Sequence, residues 1–254
     1  MQNVNFNLGE KHFEDSDFHT ALDFFNLAKA EGFARPELFN YMGQCLTQLR
    51  KYDDAINCFN QAMALEPNWI RPLFNKASAL IKLGLGSKAL NVMNEVINCH
   101  PLEAEAHYYL GSIYDRLNDL ENARKCYVMA LKLDETDADI HTDLGMIYYK
   151  LNQYDQAQEH FQRALLYDPH QYQSYLGKAS IQRILGQMDN AEITYLDGIE
   201  SNPRNQELLL GLGKLYIEKG AYTKALDYFN EVLFMDPDNY SALKNRDLVT
   251  KLIK

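Results

Sequence analysis

The chain has 254 residues, 46% of them hydrophobic and 24% charged, which is the composition of an ordered globular protein and excludes a disordered tail. Its formal net charge of −10 argues against a protein that wraps phosphate backbones, because such binding draws on clustered Lys and Arg. No apolar run approaches the length of a membrane-spanning helix, and the beginning, MQNVNFNLGEKHF, has neither the basic segment nor the apolar run of a secretory signal. The expectation is therefore a soluble, cytoplasmic protein with no nucleic-acid partner and no membrane insertion.

A period of 34 residues runs through the chain without slipping and divides it into seven units. Residues 2–35 carry Gly9 at position eight, Ala21 at twenty and Phe25 at twenty-four. Residues 36–69 repeat this with Gly43, Ala55 and Phe59 and place Pro67 at position thirty-two. Residues 70–103 have Ala77, Ala89, Met93 and Pro101, and residues 104–137 have Gly111, Ala123 and Tyr127, with Glu135 where the proline would stand. Residues 138–171 supply Gly145, Ala157, Phe161 and Pro169; residues 172–205 supply Ala179, Ala191, Tyr195 and Pro203; residues 206–239 supply Gly213, Ala225, Phe229 and Pro237. A small residue facing a large one lets two helices pack closely. The proline closes the second helix of each unit. Between the helices, at position fifteen, Gly84, Gly186, Gly220, Asn118 and Asn152 are residues that tolerate a left-handed backbone. Each unit thus reads as an antiparallel helix pair. Residues 240–254 start an eighth unit but put Arg246 and Asp247 where a further unit would need apolar residues. They are expected to form a capping helix whose Leu243, Leu248, Val249 and Leu252 cover the seventh unit.

The small residue at eight, the aromatic at seventeen (Phe18, Tyr52, Tyr154, Tyr222), the alanine at twenty and the proline at thirty-two resemble the tetratricopeptide repeat. The resemblance covers residues 2–239; a tryptophan common in the family at position four is missing, and Gly86 stands at seventeen in the third unit. It implies an all-α fold, a right-handed superhelical α-solenoid whose first helices line a concave groove. It also implies a protein or peptide ligand.

Positions two, six, nine and thirteen of the first helices form one stripe along one face and are mostly polar, so they are expected to face solvent or a ligand. Three groups on or beside these stripes are candidate binding residues. Asn7, Asn40 and Asn75 offer side-chain amides that can bond the backbone of an extended peptide. Arg71, Lys82, Arg116 and Lys150 form a basic centre, with Tyr41, Tyr108, Tyr109 and Tyr149 among them and Asp143 on the same stripe. Leu176-Gly177 and Leu210-Gly211 repeat one another and predict a shallow apolar floor extended by Ile217. A peptide with an acidic group over the middle units and an apolar side chain over the last two would fit. The Lys, Asn and Arg set with which relatives of this family hold acidic chaperone tails is missing from any three consecutive units: around Asn75 the corresponding positions are Asn40, Gln44, Glu105 and Tyr109.

Catalytic groups should break the repeat, and none does. His107 and His141 both sit at position four of their units and read as packing residues with no third metal ligand in register. Gly211-Leu212-Gly213 lies inside a helix without the strand and third glycine of a dinucleotide site, Gly84 to Lys88 lacks phosphate-loop spacing, and Asp134, Asp137 and Asp139 lack the glycine and final Glu of a calcium loop. Cys45, Cys58, Cys99 and Cys126 form no CxxC pair and read as mostly buried free thiols. The expected function is a non-enzymatic interaction scaffold with no metal or cofactor. The alternatives are a targeting or regulatory domain of a larger enzyme, such as a glycosyltransferase, and a homo-oligomer built by end stacking.

Overall fold

The structure, a computed structural model, describes residues 3–253; the first unit's start at Gln2 and the end of the capping segment at Lys254 lie outside the described residues. Among the described residues there are fifteen α-helices and no strand. The chain divides into two compact units, residues 1–126 and 127–254.

The first unit holds α1 (Val4–Glu14), α2 (Phe18–Ala30), α3 (Pro36–Gln48), α4 (Tyr52–Leu65), α5 (Arg71–Lys82), α6 (Gly86–Cys99), α7 (Ala104–Arg116) and the first half of α8 (Leu120–Leu133). Each helix from α1 to α6 packs on its successor, and α1, α3, α5 and α7 lie side by side as a row of alternate helices. The second unit continues with α9 (Ala138–Lys150), α10 (Tyr154–Tyr167), α11 (Tyr172–Ile184), α12 (Met188–Ser201), α13 (Gln206–Glu218), α14 (Tyr222–Met235) and α15 (Tyr240–Ile253). There α9, α11, α13 and α15 form the corresponding row.

Local chemistry starts and stops these helices. The side chains of Asn3, Asp17, Asp119, Asp137, Asn205 and Asn239 accept from backbone N–H groups three residues ahead, satisfying donors that the first turn leaves without partners. The first helix of every repeat ends in one left-handed residue: Ser16, Arg50, Gly84, Asn118, Asn152, Gly186 and Gly220 have φ between 59° and 82°. The next residue then donates back five positions, as in Lys51 N to Leu46 O at 2.8 Å and Gln153 N to Tyr148 O at 2.9 Å, which closes the helix with a Schellman cap. Second helices end on extended residues such as Glu66 (φ −138°) and Asp168 (φ −137°), each followed by proline, which disfavours helix in the residue before it.

Arg50 holds its left-handed turn at φ 61° with a side chain that disfavours that region. Arg50→Gly should raise the unfolding free energy by up to about 1 kcal/mol, the relief of strain exceeding the added freedom of the unfolded chain. Urea unfolding checks this, and a loss of stability would refute it.

The core follows the small-to-large pattern. The alanines at position twenty, from Ala21 to Ala225, are all 0% exposed. A Cβ built on Gly9, Gly43, Gly145 or Gly213 would come within 2.4–2.7 Å of Phe25, Phe59, Phe161 or Phe229, so these glycines exist to admit a ring from the paired helix. The last helix departs from expectation. Val249 and Ala242 are buried, but Leu248 and Leu252 are each 47% exposed, because only one narrow stripe of α15 meets α13 and α14. The four cysteines are free thiols and mostly buried: Cys45 and Cys58 are buried and Cys126 half-buried, while Cys99 is exposed at the end of α6. Burial pushes the Cys45 thiol up to about 12 and the Cys126 thiol up to about 11, so neither is a nucleophile near neutral pH.

Candidate functional site

In the first unit, the row α1, α3, α5, α7 and the loops before α3 and α5 enclose a cleft of about 710 Å³. Its walls are aromatic: Phe6 and Phe13 from α1, Tyr41 from α3, Tyr109 from α7, and Phe33 and Trp69 from the loops. The rings brace one another, with Phe6 4.9 Å from Phe33, Phe13 5.2 Å from Tyr41, and Tyr41 stacked on the buried Phe25 at 5.6 Å. Glu10, Glu37, Gln44, Arg35 and Arg71 supply the polar rim. The Tyr41 hydroxyl donates to Glu10. Burial pushes the Glu10 carboxyl above its usual range, the Tyr41 bond draws it back, and the charges of Glu14 and Glu37 add to the rise. The same burial, with Glu10 next in effect, raises the Tyr41 phenol.

The structure brings together Asn40, Tyr41, Arg71, Asn75 and Tyr109 on this cleft. A recess of about 110 Å³ shares Gln44 and Asn75 with it and takes in Lys82. Tyr108 meets Tyr109 edge-on at 5.7 Å, and Tyr109 stacks on Phe74 at 4.7 Å. Asn7 is exposed on α1 outside the lining, and Arg116 is exposed as the last residue of α7.

One expectation changes. The amides are not all offered to a ligand: Asn40 is buried, and its Oδ1 accepts from Asn75 Nδ2 at 2.9 Å, so one Asn75 N–H is taken up within the protein. Of the basic residues, Arg71 is ion-paired with Glu105 at the equivalent position of the next repeat, and Arg35 lies over the Phe33 ring at 5.3 Å. Phe6, Phe13, Phe33, Arg35 and Trp69 were not among the expected site residues. Phe33 replaces the proline at position thirty-two, and Arg35 and Trp69 end their repeats, so an irregular residue at a repeat junction was the available signal.

In the second unit, Asp143 and Tyr149 are half-buried on α9, with Tyr149 6.0 Å from Tyr154, and Lys150 is exposed at the end of that helix. Leu176, Leu210 and Ile217 are partly buried against the core, and Gly177 and Gly211 are small because Phe161 and Tyr195 press on them: a Cβ would lie 2.3 and 2.5 Å from those rings. His141, at position four of its repeat, pairs with His160 of α10. His141 Nε2 donates to Glu135 O at 3.1 Å, which leaves its Nδ1 to accept from His160 Nδ1 at 2.9 Å. Tyr148 stacks on His160 at 5.3 Å. His107 likewise bonds a carbonyl six residues back, that of Pro101, at 3.0 Å. Among the described residues no group of three His, Cys, Asp or Glu could hold a metal, and no helix is long and apolar enough to cross a membrane.

Family models described as tetratricopeptide repeat match residues 36–68, 138–171 and 183–246, and one described as TPR repeat matches 111–152, together more than half of the chain. The chain belongs to the tetratricopeptide repeat family. Proteins with tetratricopeptide repeats generally mediate protein–protein interactions. The BBSome complex member BBS4 of Mus musculus is 36% identical over 119 residues, 47% of this chain and 23% of BBS4. The chain thus spans under a quarter of that relative. A tetratricopeptide repeat protein from Parabacteroides merdae has the same fold, with a TM-score of 0.69 at 19% identity over 97% of both chains. YrrB, described as a TPR protein with an unusual peptide-binding site, gives a TM-score of 0.55 at 22% identity over 74% of this chain and 97% of its own.

Proposed function

We propose that this chain is a non-enzymatic interaction module, built of seven tetratricopeptide repeats over residues 2–239 with α15 as a cap, that holds a peptide or extended partner segment in the cleft of its first unit. The observation that carries the reading is a cleft of about 710 Å³ walled by six aromatic side chains. That volume suits a bound side-chain cluster, and aromatic residues with Arg carry much of the energy of protein interfaces. The rim residues Asn75, Gln44 and Arg71 supply polar groups for the backbone of such a segment. YrrB is described as having a peptide-binding site and BBS4 as a member of a complex, which is in line with this use of the fold. We place the module in the cytoplasm. A second reading, a targeting or regulatory module within a larger protein, is favoured by the small share of BBS4 that the chain spans.

Screening wild type and the Asn75→Ala/Tyr109→Ala variant against an immobilised library of random dodecapeptides tests the proposal. Peptides selected by the wild type should bind the variant at least about tenfold more weakly, as expected for losing one aromatic and one amide contact. Equal affinity, with circular dichroism showing an intact fold, would rule the cleft out.

A further inference from the structure

We infer that the cleft of the first unit selects a basic side chain, Arg or Lys, as the anchor of the peptide it holds; this rests on the peptide-binding reading above. The lining carries two carboxylates, Glu10 and Glu37, and two guanidiniums, Arg35 and Arg71, and two further carboxylates act on it from outside: Glu105 pairs with Arg71, and Glu14 repels Glu10. With Arg71 committed to Glu105, Arg35 is the remaining lining cation and lies over the Phe33 face, against Glu10 and Glu37 at the cavity and Glu14, which with Glu37 repels Glu10. The raised Glu10 carboxyl and Tyr41 phenol both register that excess, in addition to burial. A cation entering the cleft relieves the repulsion, whereas a carboxylate adds to it.

The walls match the same chemistry. The faces of Phe6, Phe13, Phe33, Tyr41 and Trp69 carry the negative end of the aromatic quadrupole, which attracts ammonium and guanidinium groups and packs against their aliphatic stems. Arg35 on Phe33 already displays the contact within the protein, at 5.3 Å. An apolar side chain would gain from the rings but leave the carboxylates unanswered, and an acidic one would oppose them. The direction is the reverse of the acidic ligand that Arg71, Lys82 and Arg116 suggest when read from the sequence, because Arg71 has a partner, Lys82 lies in the adjoining recess and Arg116 stands off the lining.

Trp69 is the chain's one tryptophan and lines the cleft, so its emission reports occupancy without a label. The probes are four pools of acetylated, amidated hexapeptides, degenerate in non-aromatic residues except at one inner position fixed as Arg, Lys, norleucine or Glu. The Arg and Lys pools should change Trp69 emission at concentrations at least about tenfold below those the norleucine and Glu pools need, and Glu10→Gln/Glu37→Gln should abolish that preference. Equal response to the norleucine or Glu pool overturns the basic anchor and leaves the peptide-binding cleft standing. No response of Trp69 to any pool overturns both. A preference that survives the double substitution places its source outside the carboxylates and also overturns the inference.

Discussion

Phe161→Ala should lower the unfolding free energy by about 3 to 5 kcal/mol, among the largest costs of any single substitution in the second unit. The ring is wholly buried, and two glycines lie against it: a Cβ would be 2.7 Å away on Gly145 of α9 and 2.3 Å away on Gly177 of α11. Removing it leaves a void bounded by two positions with no side chain to move in, so the site collapses poorly and the cavity cost is retained. The converse substitution sharpens the claim. Gly177→Ala alone should cost about 1 to 3 kcal/mol by overlap with the ring, yet be neutral or stabilising in the Phe161→Ala background. Urea unfolding of the four proteins gives the coupling; purely additive losses would mean that ring and glycine do not depend on one another.

Acidification should weaken the second unit through its histidine pair. In the neutral form His160 Nδ1–H donates to His141 Nδ1; protonating His141 there places a second hydrogen on that line, and protonating His160 puts a charge on a buried ring. Burial lowers both imidazoles, with His141 adding to the effect on His160, which is pushed down to about 4; Glu159 opposes the shift and Arg163 adds to it. The unfolded chain, with His near 6.5, therefore binds more protons than the folded chain between pH 6.5 and about 4. Stability contributed by the neutral pair is present above pH 6.5, falls as pH drops through that window and changes little further below it. Allowing for solvent screening of a half-buried ring, the effect is about 2 kcal/mol. It is isolated by comparing the wild type with His160→Gln at pH 7.5 and at pH 4.5: the wild-type advantage should shrink by that amount at the lower pH. A constant difference would dissociate the pair from the acid sensitivity.

The packing scheme was legible in the residues because every packing role recurs every 34 positions. Gly9 facing Phe25, Ala157 in the core and the left-handed Asn118 and Asn152 are one solution repeated, and repetition separates such positions from the rest. The cleft was half legible. Tyr41, Arg71, Asn75 and Tyr109 sit on the stripe of first-helix residues and do line it. Phe33, Arg35 and Trp69 come from repeat junctions, whose path depends on how neighbouring helices dock, and a helical-period argument is blind to them. The pairing of Arg71 was hidden for a related reason. A stripe taken one repeat at a time shows Arg71 as a free cation, although Glu105 occupies the same position 34 residues on. Gly177 and Gly211 looked like open floor because their partner rings, Phe161 and Tyr195, belong to the preceding repeat.

Those lateral pairs bear on how such a chain avoids misassembly. Its repeats place the same kinds of packing residue at the same positions, and docking on the wrong like neighbour, such as α3 on α7 instead of α5, is an error to which repeat proteins are prone. The polar pairs discriminate between these arrangements. Docking α3 on α7 would bring Glu37 opposite Glu105 and strip Arg71 of its partner, and losing Asn75 would leave the buried Asn40 amide without its bond. In the second unit Arg183 of α11, held by Glu218 of α13, marks the correct neighbour in the same manner. Each exposed pair adds little to the stability of the native stack, but each raises the energy of the wrong one, so their value lies in folding fidelity.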